Sequence, residues 1–182
     1  MSTTSIEELL KEYDRACNYT NDLWLDLTQD QLTWRPNKES SAIGWHVGHQ
    51  AAVAHFMIRN LTAAEPSLDK TLDALMDSAT PELNRGELPS IAALNNYRKQ
   101  SSERVKFRIA NIAEGNVGAP QQLTVVAKTT LTTIINHEYQ HDKWIAEVRA
   151  NDLGLALPDQ PESDNLTELD GYKVCLLNTE RP

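Results

Sequence analysis

The sequence has few of the residues that interrupt helices. Only seven glycines and eight prolines occur among 182 residues, and the prolines fall mostly outside the segments with apolar periodicity. This composition favours long helices over a β fold with many turns. The length fits one domain of ordinary size, which is long enough to bury a real core.

Positive charge and long apolar runs are also scarce. The formal net charge is -9 and the pI is near 5.0. No cluster of lysines and arginines offers the basic face of a nucleic-acid-binding protein, so we expect no nucleic-acid partner. No run of about 18 apolar residues predicts a membrane span. The acidic amphipathic start MSTTSIEELLKEY does not resemble a signal peptide, which predicts a cytoplasmic protein.

Cysteine is scarce as well. Cys17 and Cys175 are too far apart in the sequence for a metal knuckle. Two cysteines are also too few for a disulfide framework. We interpret Cys17 as a small core residue.

Four segments have apolar residues at alternating steps of three and four, the spacing of amphipathic helices. The predicted helices run over residues 5–27, 42–61, 90–113 and 123 or 127–150. A long link with one short helix, at about 68–76, joins the second helix to the third. The segment between the first two helices is predicted to be a turn.

This pattern predicts an all-α fold, a four-helix bundle with a long helix 2–helix 3 crossover. The bundle is expected to span residues 1–154. Residues 155–182 are expected to form a C-terminal extension that packs on the bundle or at a dimer interface. No segment shows a convincing strand pattern, and the apolar piece YKVCLL in the tail is left unplaced.

All five histidines lie on the second and fourth predicted helices. His137 and His141 fall on a core-facing seam of the fourth helix, and His49 falls on a similar seam of the second. The two seams comprise Ala127, Thr130, Ile134, His137, His141, Trp144 and Val148, and Ala42, Trp45, His49, Ala52 and Phe56. Three imidazoles are thus predicted to point into one bundle interior.

A shared metal ion is the simplest partner for three converging imidazoles. The structural alternative is three separate core histidines, each bonded to its own neighbour. Burial without a partner costs about 1–3 kcal/mol for each imidazole. Neutral imidazole suits Zn²⁺, Ni²⁺, Fe²⁺ or Cu²⁺, and three protein ligands leave positions open for water or substrate. The sequence therefore predicts a divalent metal site at His49, His137 and His141.

Two further residues of the second helix, His46 and Trp45, flank the predicted triad. His46 lies one turn before His49 and about 60° round the helix, where it is predicted either to support a ligand histidine or to bind the metal itself. Trp45 is either a wall of the pocket or a core residue. His55 lies about 120° from His49, which predicts a surface or interface position.

The stretch HEYQH also matches the zinc-protease signature H-E-x-x-H. In that reading Glu138 is the general base and a third ligand lies downstream. No histidine follows His141, and the conceivable ligands Glu162 and Glu168 lie in a proline-interrupted tail. Glu138 is predicted to point laterally, about 100° from His137 and off the buried seam. In that position Glu138 is as well suited to a capping or salt-bridge role as to catalysis. Because the third ligand is also missing, we do not favour the protease interpretation.

The stretch LTQDQLTWRPNKESSAIGWHVGHQAAVAHF resembles the second-helix region of the DinB-like superfamily. That region typically reads L-x-x-E-Q-L-x-W-R-P and then S-I-G-W-x-x-G-H. The matching residues are Leu32, Trp34, Arg35, Pro36, Ser41, Ile43, Gly44, Trp45, Gly48 and His49. A second element of the family, H-x-x-x-H on the last bundle helix, is matched by His137 and His141. The resemblance covers roughly residues 5–152 and implies the same metal triad as the periodicity.

The resemblance also implies a range of functions. Relatives include metal-dependent thiol S-transferases and a thiol-dependent isomerase, so the expected ligands are a divalent ion (zinc, nickel or iron), a low-molecular-weight thiol and a small-molecule substrate. Family members are often homodimers. The motif forms are also similar to the N-terminal domain of ergothioneine-type sulfoxide synthases, but their large catalytic domain is not found in this sequence. We therefore do not expect that activity.

A non-catalytic metal-binding or stress-related interaction bundle is the alternative function. Beyond the three histidines, the sequence contains no evident acid, base or nucleophile dedicated to chemistry. A purely structural bundle without metal is the third possibility.

Overall fold

The elements of the chain are mainly helices. The structure, a computed structural model, describes residues 4–59, 61, 65–77, 87–115 and 121–177. Within these ranges the helices are α1 Ile6–Trp24, α2 Gln29–Thr33, α3 Ile43–Arg59, α4 Lys70–Leu75, α5 Ile91–Ala113 and α6 Gln121–Glu147. None of them is both long enough and apolar enough to cross a membrane. The all-α prediction is confirmed, and the predicted long helices correspond to α1, α3, α5 and α6.

These four helices pack around one core. α1 packs on α6, α6 packs on α3, and α3 packs on α5. Burial of apolar area, worth about 25 cal/mol per Å², is the main force that holds them together. The seam of the first helix is buried as its periodicity predicts, at Ile6, Leu9, Tyr13, Ala16, Thr20, Leu23 and Leu27.

α2 corrects the prediction of a turn between the first two long helices. It is a five-residue helix that begins with a capping box. The Thr28 hydroxyl accepts from the Gln31 N–H, and the Gln31 side chain accepts from the Thr28 N–H. Periodicity misses this helix because Leu32 is its single buried residue.

Two glycines let neighbouring elements approach the backbone of α3. A Cβ atom on Gly44 would lie 2.9 Å from Leu32 Cγ, and one on Gly48 would lie 2.4 Å from Met76 Sδ. Both distances are too short for a real side chain. α2 and the end of α4 therefore pack directly against the helix that contains His49.

A turn of π-helix, Val148–Asp152, follows α6. Its buried Arg149 joins this end of the bundle to the end of α1. The guanidinium donates to both carboxylate oxygens of Asp26, at 2.6 and 2.8 Å, and to the carbonyl oxygen of Leu23. It also donates to the carbonyl oxygen of Ala156, which directs the chain into the C-terminal segment.

A β-hairpin in the C-terminal segment corrects the expectation that the sequence lacks strands. β1 Leu166–Leu169 pairs antiparallel with β2 Tyr172–Cys175, which includes most of the unplaced piece YKVCLL. The two turn residues, Asp170 and Gly171, both have positive φ (52° and 77°), as a tight hairpin requires. The side chain of Asn136 on α6 bonds both the N–H and the carbonyl of Cys175. The hairpin therefore lies on α6, whereas a dimer interface remains a prediction.

Candidate metal centre

The three predicted ligand residues come together between α3 and α6. Each of His49, His137 and His141 offers a ring nitrogen, and these atoms all lie within 4.8 Å of one another. The Nε2 atoms of His137 and His141 are 3.1 Å apart. Two nitrogens of a tetrahedral zinc site lie roughly 3.4 Å apart, since each Zn–N bond is about 2.0–2.1 Å. The pair is thus slightly closer than a zinc site requires, and the three nitrogens are near enough for one ion to bind them after the rings adjust.

Burial keeps these imidazoles in the neutral form that binds metals. It lowers the pKa of His137 to about 4, with a further contribution from His49. It lowers the pKa of His141 to about 2, and the neighbouring histidines add to that shift. A neutral imidazole does not have to lose a proton before it coordinates a metal ion near pH 7.

The tautomer of His49 is fixed by the backbone. Its Nδ1 lies 2.7 Å from the carbonyl oxygen of Met76. A carbonyl only accepts hydrogen bonds, so Nδ1 donates and Nε2 keeps its lone pair for a ligand. Trp45 stacks on the same ring, with centroids 4.5 Å apart and planes inclined by 11°. Backbone and indole together hold the ring in one orientation.

His46 contacts the triad through His141. The two Nδ1 atoms are 2.8 Å apart, and His46 is 8 % exposed. With a metal ion on His141 Nε2, the ring hydrogen would be on Nδ1 and would be donated to His46 Nδ1. The ring of Trp144 meets His141 edge-on at 5.0 Å. The structure thus places His46 and two indoles around the cluster.

Glu138 points laterally toward the neighbouring helix α5, as predicted, but this side of α6 is buried as well. Glu138 is 2 % exposed because α6 is covered on several sides, by α1, α3, α5 and the hairpin. Its Oε2 accepts from Arg98 at 3.0 Å and lies 3.0 Å from the Thr20 hydroxyl. The salt-bridge alternative is the one that the structure shows. The carboxylate that a zinc protease would use as its base is already engaged.

The downstream acids of the protease interpretation do not join the cluster. Glu162 lies in the tail and Glu168 lies on β1, and both are exposed. Neither belongs to the histidine cluster found among the described residues.

His55 and Phe56 also differ from their predicted positions. His55 was expected at a surface or an interface but is 1 % exposed, with Nε2 3.8 Å from a carboxylate oxygen of Glu65. Phe56 was expected on the seam but is 63 % exposed. Every residue from Ala42 to Ala51 is buried, so the sequence of α3 has no single apolar stripe that defines its rotation.

A cavity of about 390 Å³ opens beside His49. One part of its wall is apolar, and His55, Arg59 and Asp73 add polar groups. The Tyr97 hydroxyl donates to Asp73. The apolar wall is formed by Ala52, Val53, Phe56 and Met76. A small molecule in this cavity would lie next to one of the three ligand residues.

The fold and the cluster together define a helical bundle with three histidines converging from two of its helices. The sequence profile of the DinB superfamily matches residues 12–145, most of the chain and all three of these histidines. The chain belongs to the DinB superfamily. No curated protein matches it.

Proposed function

We propose that this protein is a metal-dependent enzyme of the thiol S-transferase or isomerase type. His49, His137 and His141 would hold one divalent ion, with zinc, nickel and iron as the candidates. The observation that supports the site is the convergence of three ring nitrogens within 4.8 Å. Membership of the DinB superfamily supports the choice of reaction class.

A divalent ion in this site would lower the pKa of a thiol or water that it binds and so supply a nucleophile at neutral pH. In S-transfer, the thiolate sulfur forms a bond to an electrophilic carbon. The leaving group departs with the electron pair of the bond that breaks, and the thiol proton passes to solvent. No oxidant or reductant is needed.

The chain's own residues would prepare the site and accept the substrate. The Met76 carbonyl and the Trp45 ring orient His49. The apolar wall of the cavity beside His49 would exclude water from a bound electrophile, and Arg59 offers a positive charge within the same cavity. These features support a small-molecule substrate.

A conjugation assay tests the proposal. A chromogenic electrophile such as 1-chloro-2,4-dinitrobenzene is incubated with several low-molecular-weight thiols, and the uncatalysed rate is subtracted. We expect turnover with at least one thiol, its loss on chelation, and its return with added metal. His137→Ala should abolish turnover, and Gln140→Ala, at an exposed position of the same helix, is the control. Turnover that His137→Ala leaves unchanged would contradict the mechanism.

A non-catalytic metal-binding or interaction bundle is the second candidate. Two carboxylates near the site already have hydrogen-bond partners, since Arg98 donates to Glu138 and Tyr97 donates to Asp73. This favours a non-catalytic role, because neither carboxylate is free to act as a base. Tight metal binding without turnover for any thiol would support this role. The cytoplasmic location and the homodimer expected from the sequence remain predictions.

A further inference from the structure

A buried polar network lies beside the histidine cluster and includes side chains from all four long helices. Arg98 of α5 is its centre. One guanidinium nitrogen donates to the carbonyl oxygen of Val47, at 2.8 Å, and to Gln50 Oε1, at 2.9 Å. The other donates to Glu138 at 3.0 Å. The network consists of Thr20, Gln50, Arg98, Glu138 and Asp142, each at most 7 % exposed.

The remaining bonds close the network between α1, α3 and α6. Gln50 Nε2 donates to the carbonyl oxygen of Glu138 and to Asp142 Oδ1, both at 2.9 Å. The Thr20 hydroxyl lies 2.8 Å from the same oxygen of Asp142. Burial, with the nearby Glu138, raises the pKa of Asp142 well above its usual value. The carboxylate that pairs directly with the Arg98 guanidinium is that of Glu138.

Each residue of the triad is followed in the chain by a member of the network. Gln50 follows His49, Glu138 follows His137, and Asp142 follows His141. Adjacent residues of a helix project about 100° apart from one rigid backbone. Bonds that fix the second residue of each pair therefore fix the rotation and the height of the histidine before it. Arg98 contacts two of these three residues directly, and Gln50 connects it to the third.

We propose that Arg98 is a positioning residue of the metal centre, which holds α3 and α6 at the rotation that makes His49, His137 and His141 converge. The role rests on the proposed metal site. Burial of this ion pair is weak evidence for a purely stabilising role, because such pairs are often replaced by well-packed apolar side chains without loss of stability. Such a replacement would lose the directional bonds that specify one helix rotation.

Co²⁺ binding tests this role, since the visible spectrum of bound Co²⁺ reports the geometry of its ligands as well as affinity. We expect Arg98→Met to weaken Co²⁺ binding about 10- to 100-fold, the usual effect of losing groups that orient metal ligands. The spectrum of its saturated complex should differ from that of the wild type. The double variant Arg98→Met/Glu138→Gln removes both charges of the ion pair. Its Co²⁺ binding is measured in the same way if Arg98→Met alone does not fold.

A matched pair at Thr20 tests the network without a change of charge. Thr20→Val removes the hydroxyl and keeps the shape of the side chain, whereas Thr20→Ser keeps the hydroxyl. We expect Thr20→Val to weaken Co²⁺ binding and Thr20→Ser to restore most of the affinity. Equal Co²⁺ affinity for the two variants would contradict the proposed role of the network.

Arg149 is the control for general destabilisation. It is as buried as Arg98 and also makes several hydrogen bonds, but it lies at the far end of the α6 segment. We expect Arg149→Met to lower stability and to leave Co²⁺ affinity and spectrum unchanged. The inference is overturned if Arg98→Met binds Co²⁺ like the wild type, or if Arg149→Met weakens binding as much. A wild-type protein that binds no Co²⁺ would overturn the proposed metal site, and the positioning role with it.

Discussion

Met76 contacts both residues of the Gly48–His49 pair. Its carbonyl oxygen lies 2.7 Å from His49 Nδ1, and its side chain occupies the space where a Cβ atom of residue 48 would be. The absence of a side chain at Gly48 thus allows the end of α4 to approach and orient the imidazole. This contact gives a physical reason for glycine immediately before the ligand histidine.

Substitution of Gly48 by alanine should therefore affect metal binding. The new Cβ atom would lie 2.4 Å from Met76 Sδ, so Met76 must move and its carbonyl is expected to shift from His49. We expect a loss of stability of about 1–3 kcal/mol from overpacking, partly offset by the higher helix propensity of alanine. Metal affinity, measured by calorimetric titration, should also fall.

Gly44→Ala is the matched control. Its Cβ atom would lie 2.9 Å from Leu32 Cγ of α2, away from the Met76 contact that orients His49. We expect this variant to lose stability and to keep its metal affinity. A Gly48→Ala protein with wild-type affinity would show that the Met76 contact is unimportant for the site.

Loss of His46 should weaken the site without removing it. His46→Phe removes the ring nitrogen that lies 2.8 Å from His141 Nδ1. We expect metal affinity to fall roughly 10- to 100-fold, the range for loss of a hydrogen-bond partner of a ligand. The metal content at saturation should stay the same. His55→Phe, on the same helix and equally buried, should not change affinity; complete loss of binding in His46→Phe would instead identify His46 as a ligand.

The metal-free protein should lose stability in mild acid. Burial lowers the pKa of His46 to about 4, of His137 to about 4 and of His141 to about 2, compared with about 6.5 in an unfolded chain. Below pH 6.5 the unfolded state therefore binds protons that the folded state does not. The free energy of unfolding should fall as the pH is lowered, by at most about 1.4 kcal/mol per pH unit for each histidine.

Denaturation in the presence of a chelator at pH 7 and pH 5 measures this effect. The wild type is compared with His141→Asn, which lacks the most strongly shifted group. The decrease between the two pH values should be smaller in the variant. An identical decrease in both proteins would contradict a neutral, buried His141.

The contact between Asn136 and the hairpin should stabilise the C-terminal segment. Asn136→Ala removes both bonds to the backbone of Cys175. We expect a loss of about 1–2 kcal/mol, the usual net effect of lost hydrogen bonds, and faster hydrogen exchange at the Cys175 amide. Gln140→Ala, an exposed position one turn further along α6, is the control and should change neither quantity. Unchanged exchange in Asn136→Ala would contradict this contact.

Periodicity was sufficient to predict the bundle and the convergence of three histidines. His137 and His141 are one helical turn apart, and this spacing brings them together in any α-helix. The rotation of α3 was harder to predict, as His55 and Phe56 show. α3 is enclosed over much of its length by α2, α4, α5 and α6, so nearly all its residues near the site are buried. Without a polar face, its sequence does not show which side faces the core.

The polar network left only a weak signal in the sequence. The apolar seam of α5 is interrupted between Tyr97 and Val105, where the buried Arg98 and Ser101 lie. That gap indicates polar residues in the core. It does not identify their partners, because Glu138 is 40 residues from Arg98 in the chain. The hairpin had a clearer signal in Asp170–Gly171, but its strands are only four residues long and β1 is largely exposed.

Metal analysis of the protein purified without added metal tests the central claim most directly. The wild type should contain about one divalent ion per chain, since three histidines complete a single site. His141→Ala should lose that metal, whereas His55→Gln should retain it. A wild-type protein that contains no bound metal, and takes up none when zinc, nickel or iron is supplied, would contradict the account.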